Sequence, residues 1–182
     1  AILPLGLLGL VLIVAYTPWF TRSVLLCLLA PGLGFGILMV MGTDFVLTGN
    51  YSWTSFVASL VPTFLVSNLL LLNQFPDAQA DQSVGRRHLS IVAGKRTSST
   101  VYGLLLLLAY ATIVAGVALD LLPLASLLGL LTLLAAIPTA VGVFRTAEEV
   151  EGLIPYLGVN VLITVATPVL AALGLLIAQC QV

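Results

Sequence analysis

Two acidic residues in the middle of this chain have the spacing of a metal-binding pair. Asp77 and Asp81 are four residues apart, so on a helix their carboxylates lie on the same face. Two converging carboxylates form a hard oxygen site, which Mg²⁺ occupies together with water molecules and the phosphates of a substrate. The spacing therefore predicts that Asp77 and Asp81 bind Mg²⁺.

A cluster of basic residues follows the two aspartates along the chain. Its members can donate hydrogen bonds to phosphate oxygens, and Gly85 allows the chain to turn between the acidic and the basic residues. The cluster consists of Arg86, Arg87, Lys95 and Arg96. The arrangement predicts a diphosphate held between a metal ion and guanidinium groups. The alternative, which the spacing leaves open, is that these charges are solvated and neutralise one another.

The composition of the chain excludes a water-soluble fold. Of its 182 residues 60% are hydrophobic and only 7% are charged, and the mean hydropathy is +1.21. An ordinary soluble domain has about 25% charged residues. The net charge of −1 excludes a polybasic nucleic-acid-binding protein, so no nucleic acid is expected as a partner. The two cysteines, Cys27 and Cys180, lie inside apolar runs, which disfavours a disulfide scaffold or a cysteine metal site.

Six apolar stretches predict an all-α, polytopic bundle of transmembrane helices that extends over residues 1–182 as a single domain. A membrane-spanning helix needs about 20 apolar residues, each rising about 1.5 Å. The six stretches are residues 2–16, 24–43, 53–73, 100–119, 122–144 and 153–179. The first stretch is short and the chain begins at Ala1, so we expect further spans to precede it in the complete polypeptide.

All six basic residues fall in the first, third and fifth connections between the predicted spans. The first connection contains Arg22, the fifth contains Arg145, and the third contains the basic cluster. Because basic residues are retained on the cytoplasmic side, this side is predicted to be cytoplasmic and the membrane to be the inner (plasma) membrane. The third connection, residues 74–99, is far longer than the others, so we predict a cytoplasmic active-site loop there.

Three glycines and a run of hydroxyl residues have structural rather than catalytic interpretations. Small residues allow transmembrane helices to approach closely, so Gly32, Gly34 and Gly36 are predicted to form a packing surface. Residues 98–100, Ser-Ser-Thr, are predicted to cap the start of the fourth span.

His88 is the single histidine of the chain. An acid–base role is open to it, but a position facing solvent or lipid headgroups is the favoured interpretation.

Residues 68–94 resemble the second aspartate motif of the UbiA superfamily of intramembrane prenyltransferases, and the nearest likeness is to its MenA-like branch. That branch reads N-N-x-R-D-x-x-x-D-x-x-x-G-K-x-T-L, followed by a few apolar residues and Gly. Arg86 keeps the charge of the usual Lys. The matching positions are Asn73, Asp77, Asp81, Gly85, Leu89 and Gly94. The departures are Gln74 for Asn, Pro76 for Arg and His88 for Thr.

The resemblance implies Mg²⁺-dependent transfer of a polyprenyl group from a polyprenyl diphosphate to an aromatic acceptor such as dihydroxynaphthoate, a step of quinone (menaquinone) biosynthesis. In such an enzyme Asp77 and Asp81 would hold the metal ion, and Asn73 would orient the acceptor or a metal-bound water. The implied diphosphate contacts are Arg22, Arg86, Arg87 and Lys95. The apolar tail of the substrate would lie among the helices, within the lipid bilayer.

The resemblance also implies a position for this chain within a nine-span fold, whose two motifs lie in the second-to-third and sixth-to-seventh connections. The six predicted spans would be spans four to nine, which places residues 74–99 in the sixth-to-seventh connection. The first motif, N-D-x-x-D-x-x-x-D, does not occur in this sequence. We expect preceding spans, or a partner chain, to supply it.

Two other functions compete with the enzyme. A non-catalytic membrane subunit or scaffold that keeps the prenyltransferase fold is the first alternative, and the missing first motif favours it. A small transporter is the second, but no charged residue lies in the middle of a predicted span, where charges mark a substrate path. The transporter is therefore disfavoured.

Overall fold

The computed structural model of the protein describes residues 2–179, and the regular structure in this part of the chain is entirely helical. The helices are α1 (Leu3–Tyr16), α2 (Val24–Thr48), α3 (Trp53–Ser83), α4 (Leu89–Val92), α5 (Gly94–Ala118), α6 (Leu124–Thr146) and α7 (Val150–Gln179). Phe20–Arg22 adds a 3₁₀ turn, and the first 9 residues of α6 are 3₁₀ rather than α-helical. Cys180 lies outside the described residues.

The helices confirm the predicted all-α, polytopic membrane bundle. Five of them, α2, α3, α5, α6 and α7, have 23 to 31 residues and are long and apolar enough to cross a membrane. The remaining apolar helix, α1, has only 14 residues, whereas a span needs about 20. The short first stretch of the sequence therefore forms a short helix, and the other five form full-length ones.

The first, third and fifth connections lie together at one end of the bundle. The backbone N–H of Arg87 donates to the carbonyl oxygen of Thr21 at 2.9 Å, which joins the third connection to the first. The guanidinium carbon of Arg96 lies 4.3 Å from the ring centroid of Phe144, which joins the start of α5 to the end of α6. As predicted, the basic residues share this end, here called the basic end: Arg22, Arg86, Arg87, Lys95, Arg96 and Arg145.

The central helix of the bundle is α3, which contacts α2, α5 and α7. Its side chains Leu71, Leu72 and Phe75 are at most 1% exposed and pack with Tyr102 of α5 in one core cluster. Inside this core, the Tyr102 hydroxyl donates to Oδ1 of Asn160 on α7 at 2.9 Å. The last turns of α3, which carry the predicted metal ligands, therefore extend from a tightly packed element.

Close contact between α2 and α3 depends on glycines of α2. A Cβ atom at Gly32 would overlap the Thr63 carbonyl oxygen and the Ser67 hydroxyl, and one at Gly36 would overlap Thr63. A Cβ atom at Gly34 would meet nothing within 4 Å. The predicted packing surface is therefore confirmed for Gly32 and Gly36, whose four-residue spacing places them on one helix face, and is wrong for Gly34.

The segment 74–99, predicted to be a loop, is for the most part helical. α3 continues into the segment and α5 begins before its end, so the irregular connection is limited to the few residues on either side of α4. α3 continues because its polar end still has one buried face, formed by Gln74, Phe75 and Ala78. Hydropathy therefore underestimates the length of a helix whose end extends out of the membrane, because only one face of that end is apolar.

The predicted cap at residues 98–100 is also wrong, because α5 begins before these residues. The hydroxyl of Ser98 donates to the Gly94 carbonyl oxygen at 2.9 Å, and that of Ser99 donates to the Arg96 carbonyl oxygen at 2.7 Å. Both bonds run back to the preceding turn, as they do for serines inside a helix. Gly94 itself begins the helix at φ +80°, a left-handed conformation that suits glycine.

Candidate active site

Asn73, Asp77 and Asp81 occupy one face of the last turns of α3. Their spacing of four residues repeats at each helical turn, so the structure places the three side chains in a row. The shared face of Asp77 and Asp81 is the one that the sequence predicts. Asn73 and Asp77 are exposed, whereas the side chain of Asp81 is only 14% exposed. The row therefore runs from an open end to a covered end beside the turn after α3.

Both carboxylate oxygens of Asp81 contact the chain that follows α3. Nη1 of Arg86 donates to Oδ1 at 2.8 Å, and Nε2 of His88 lies 3.0 Å from Oδ2. Gly85 allows the chain to turn back toward α3, because it adopts a φ of +79°, a backbone conformation that residues with a Cβ atom rarely adopt. Hydrogen bonds to an ionised group are about twice as strong as neutral ones, so these contacts hold Asp81 in one orientation.

His88 is buried, with 1% of its surface exposed, and its two ring nitrogens have different partners. Nε2 faces the Asp81 carboxylate, and Nδ1 lies 2.8 Å from the hydroxyl oxygen of Ser90. An ionised carboxylate only accepts, so the tautomer that satisfies both contacts donates from Nε2 and accepts the Ser90 hydroxyl hydrogen at Nδ1. Burial lowers the pKa of His88 below its ordinary value of 6.5, and the hydrogen bond to Asp81 opposes that shift.

The expectation that His88 faces solvent or lipid headgroups is therefore wrong. The turn at Gly85 brings the following residues back along the end of α3, and the backbone N–H of Arg86 donates to the Asp81 carbonyl oxygen at 3.1 Å. This return covers the imidazole with protein. The sequence contains only a weak signal for it: a carboxylate precedes His88 by seven residues, and a hydroxyl follows it by two.

The basic residues predicted to contact a diphosphate differ in their surroundings. Arg86 is paired with Asp81, so part of its charge is already neutralised. Arg22 and Arg87 are exposed, and the backbone bond between their connections keeps both beside the end of α3. Lys95 is half-buried on the first turn of α5. Three of the four predicted phosphate donors therefore lie around the turn after α3, and Lys95 lies beyond α4.

A second group of polar side chains adjoins this site and was not expected from the sequence. Gln74 is buried and donates from Nε2 to Sγ of Cys27 at 3.2 Å, and the hydroxyl of Tyr16 lies 3.9 Å from the same sulfur. The Gln74 carbonyl oxygen lies 3.3 Å from the Ser90 hydroxyl. These contacts join α1, α2 and α3. The only sequence feature that marked Gln74 was its departure from the family pattern, and nothing distinguishes Cys27 within its apolar run.

An apolar cavity of about 520 Å³ lies between α1, α2 and α3. Its apolar walls include Leu12, Ile13, Phe35, Leu38 and Leu70. Tyr16, which contacts Cys27, also lines the cavity, and Leu70 precedes Asn73 by about one helical turn. The cavity therefore adjoins the polar end of α3 and suits an apolar chain. A larger groove of about 900 Å³ lies at the opposite end of the bundle, beside Asp120, and shares no residue with this one.

The donor set at the end of α3 fits Mg²⁺ when a substrate supplies further ligands. Within residues 2–179, no group of three or more His, Cys, Asp or Glu side chains is placed to hold a metal ion. Asp77 forms no ion pair with a described residue, and Asp81 keeps acceptor positions, since a carboxylate has about four. Mg²⁺ commonly binds one or two carboxylates and takes its other ligands from water and phosphates, which this arrangement fits.

The chain matches one known protein family over most of its length. The family model for the UbiA prenyltransferase family matches residues 1–157. No significant match is found among curated proteins or among solved structures. With five helices able to cross a membrane and this family match, the chain is an integral membrane protein that belongs to the UbiA prenyltransferase family.

Proposed function

We propose that this protein transfers a polyprenyl group from a polyprenyl diphosphate to a ring carbon of an aromatic acceptor, with Mg²⁺ as its cofactor. The observation that supports this most directly is Asp77, an unpaired carboxylate one turn from Asp81 on a helix end that adjoins an apolar cavity. A prenyl diphosphate has the same two parts, a charged head and an apolar tail. As acceptor we propose a dihydroxynaphthoate-like ring, which places the reaction in quinone (menaquinone) biosynthesis.

The two aspartates would hold the metal ion in different ways. When bound, Mg²⁺ supplies Lewis-acid stabilisation to the diphosphate oxygens. Asp81 is held by Arg86 and His88 and offers a fixed ligand position, whereas Asp77 is exposed and able to turn toward a ligand. Asn73, one turn before Asp77, would orient the acceptor or a metal-bound water.

The basic residues would stabilise the leaving group. In the reaction, the bond between the allylic carbon and the diphosphate oxygen breaks, and its electron pair leaves with the diphosphate. The acceptor ring carbon forms the new carbon–carbon bond and then loses its proton. Arg86 would contact the diphosphate from its fixed position beside Asp81. The other cations for this role are Arg22, Arg87 and Lys95. The apolar cavity would exclude water from the allylic cation, which limits its hydrolysis.

The first aspartate motif implied by the resemblance does not occur in these 182 residues, and we propose that it is supplied from outside them. Preceding spans of the same polypeptide, or a partner chain, would face the exposed Asn73 and Asp77. The helices of this chain would be spans four to nine of a nine-span fold. The basic end would lie at the cytoplasmic face of the inner (plasma) membrane, because basic connections are retained on that side.

The test is Mg²⁺-dependent turnover by the full-length polypeptide in membranes with a polyprenyl diphosphate and an aromatic acceptor. We expect Asp77→Asn and Asp81→Asn to lose most of the prenylated product, because each removes a carboxylate charge from the metal site. Asp120→Asn is the matched control, since Asp120 lies between α5 and α6 at the opposite end of the bundle. Normal Mg²⁺-dependent turnover in both site variants would refute the proposal.

A non-catalytic subunit or scaffold that keeps the prenyltransferase fold is the second candidate function. One observation favours it: both oxygens of Asp81 already contact Arg86 and His88, so the hydrogen-bonding groups around this carboxylate have partners without a ligand. Under this alternative the full-length polypeptide forms no prenylated product with any acceptor tested. The Asp77→Asn variant would then assemble with its partner as the unaltered protein does.

A further inference from the structure

A shallow groove runs along the outside of the bundle between α5 and α6, close to the basic end. It has a volume of about 300 Å³, and its walls include Gly103 of α5 and Val141, Phe144 and Arg145 of α6. The proposed active site comprises residues of α3 and of the turn after it, together with Arg22 and Lys95, and none of these residues lines this groove. The feature is here called the α5–α6 groove.

Two guanidinium groups lie where the α5–α6 groove approaches the basic end of the bundle. Arg145 lines it directly, and the guanidinium carbon of Arg96 lies 4.3 Å from the centroid of the Phe144 ring, which is another wall. Both arginines are exposed, and neither forms an ion pair with any described acidic residue, the nearby Glu148 and Glu149 included. Arg96 also belongs to the first turn of α5, where the positive end of the helix dipole favours anions.

The rest of the α5–α6 groove is apolar and open. A Cβ atom at Gly103 would meet no other atom within 4 Å, so there is free space above this part of the wall. Val141 and Phe144 are 46% and 40% exposed, although both are apolar. The outer surface of a transmembrane bundle faces lipid, so an acyl chain is the apolar group that reaches such a groove in the membrane.

We infer that the α5–α6 groove binds an anionic phospholipid, with an acyl chain against Gly103 and Val141 and the phosphate headgroup at Arg96 and Arg145. Basic pockets between transmembrane helices bind anionic headgroups in this way. A zwitterionic lipid carries its own cation beside the phosphate, so two arginines without acidic partners favour a headgroup with net negative charge. The inference goes beyond the proposed prenyl transfer, because the groove belongs to α5 and α6 alone.

The test is native mass spectrometry of the full-length protein after equilibration with phosphatidylglycerol and phosphatidylcholine at equal concentrations in detergent. We expect phosphatidylglycerol to be retained about tenfold more than phosphatidylcholine, because two basic groups act on one headgroup. The double variant Arg96→Gln/Arg145→Gln should lose this preference. The matched control, Arg22→Gln/Arg87→Gln, removes the same charge from the same end of the bundle and should keep it.

A further variant separates the shape of the α5–α6 groove from its charge. Gly103→Leu fills the groove without changing any charge, so it should lower phosphatidylglycerol retention severalfold. If Gly103→Leu does not fold, Val141→Trp on the facing wall serves the same purpose. Selective loss of phosphatidylglycerol in the groove variants supports the inference. Equal retention of the two lipids, equal losses in the two arginine pairs, or full retention by the groove-filling variant would overturn it.

Discussion

Two successive turns of α3 carry the same residue type on the same face, yet their surroundings differ. Asp77 is exposed and unpaired, whereas Asp81 is 14% exposed and contacts a partner through each oxygen. The difference arises from the turn at Gly85, which brings Arg86 and His88 back over the last turn of the helix but not over the turn before it. Spacing on a helix thus decides which side chains share a face, and the returning chain decides which of them stay open to a ligand.

This contrast means that the two aspartates contribute differently to folding. An exposed carboxylate without partners changes stability by less than about 0.5 kcal/mol when it is replaced. Asp81 contacts one buried donor, His88, and removing a carboxylate from such a donor costs about 1–3 kcal/mol, because the donor is left unsatisfied. Activity and stability should therefore separate at Asp77 and fall together at Asp81.

The largest effect on activity is expected for Asp77→Asn. Loss of a metal ligand removes several kcal/mol of transition-state stabilisation, so prenylated product should fall about 100-fold or more. Thermal unfolding in detergent should remain unchanged, since Asp77 forms no ion pair with a described residue. A large drop in unfolding temperature for this variant would contradict the contrast between the two turns.

Asp81→Asn should lower both the formation of prenylated product and the stability of the protein. The Asn amide still accepts at one position but no longer neutralises Arg86, and it places a donor where His88 also donates. We expect product formation to fall about 10- to 100-fold and the free energy of unfolding to fall by about 1–3 kcal/mol. Product assays and thermal unfolding of the same preparation measure the two effects, with Asp120→Asn as the control.

His88→Phe tests the support of Asp81 without touching the carboxylate. The ring keeps its bulk but loses the donor at Nε2, so Asp81 keeps only its contact with Arg86 and is held less firmly. The Mg²⁺ concentration for half-maximal activity should therefore rise about 10-fold. His88→Gln, which keeps a donor, should restore part of the wild-type Mg²⁺ dependence. An unchanged Mg²⁺ requirement in His88→Phe would show that Asp81 needs no such support.

The smallest effects are expected at the exposed cations. Arg87→Gln and Arg22→Gln remove exposed charges, and exposed ion pairs contribute about 0.2–1 kcal/mol, a factor of about 1.4 to 5 in affinity. The KM for the polyprenyl diphosphate should rise by this factor, and the difference from the unaltered protein should shrink at high salt. A salt-independent rise would assign these residues a role other than charge.

Hydropathy and charge predict most of the fold. The six apolar stretches become six apolar helices, because a chain in lipid must satisfy its backbone hydrogen bonds within each segment. The basic residues share one end because consecutive helices reverse direction. The ends of the helices were less predictable: α3 extends through the turn of Asp77, since backbone hydrogen bonding does not stop where the apolar residues stop.

The row of Asn73, Asp77 and Asp81 on one helix face follows from the sequence alone, because helical periodicity is a local property of the chain. Tertiary structure alone decided that His88 is buried and that Asp81 is engaged at both oxygens. The Asp81 contacts require the chain to reverse at Gly85, and the returning residues then pack against the start of α2, which is distant in sequence. Spacing along a chain specifies which residues can meet on one element, but burial depends on the elements that come to cover them.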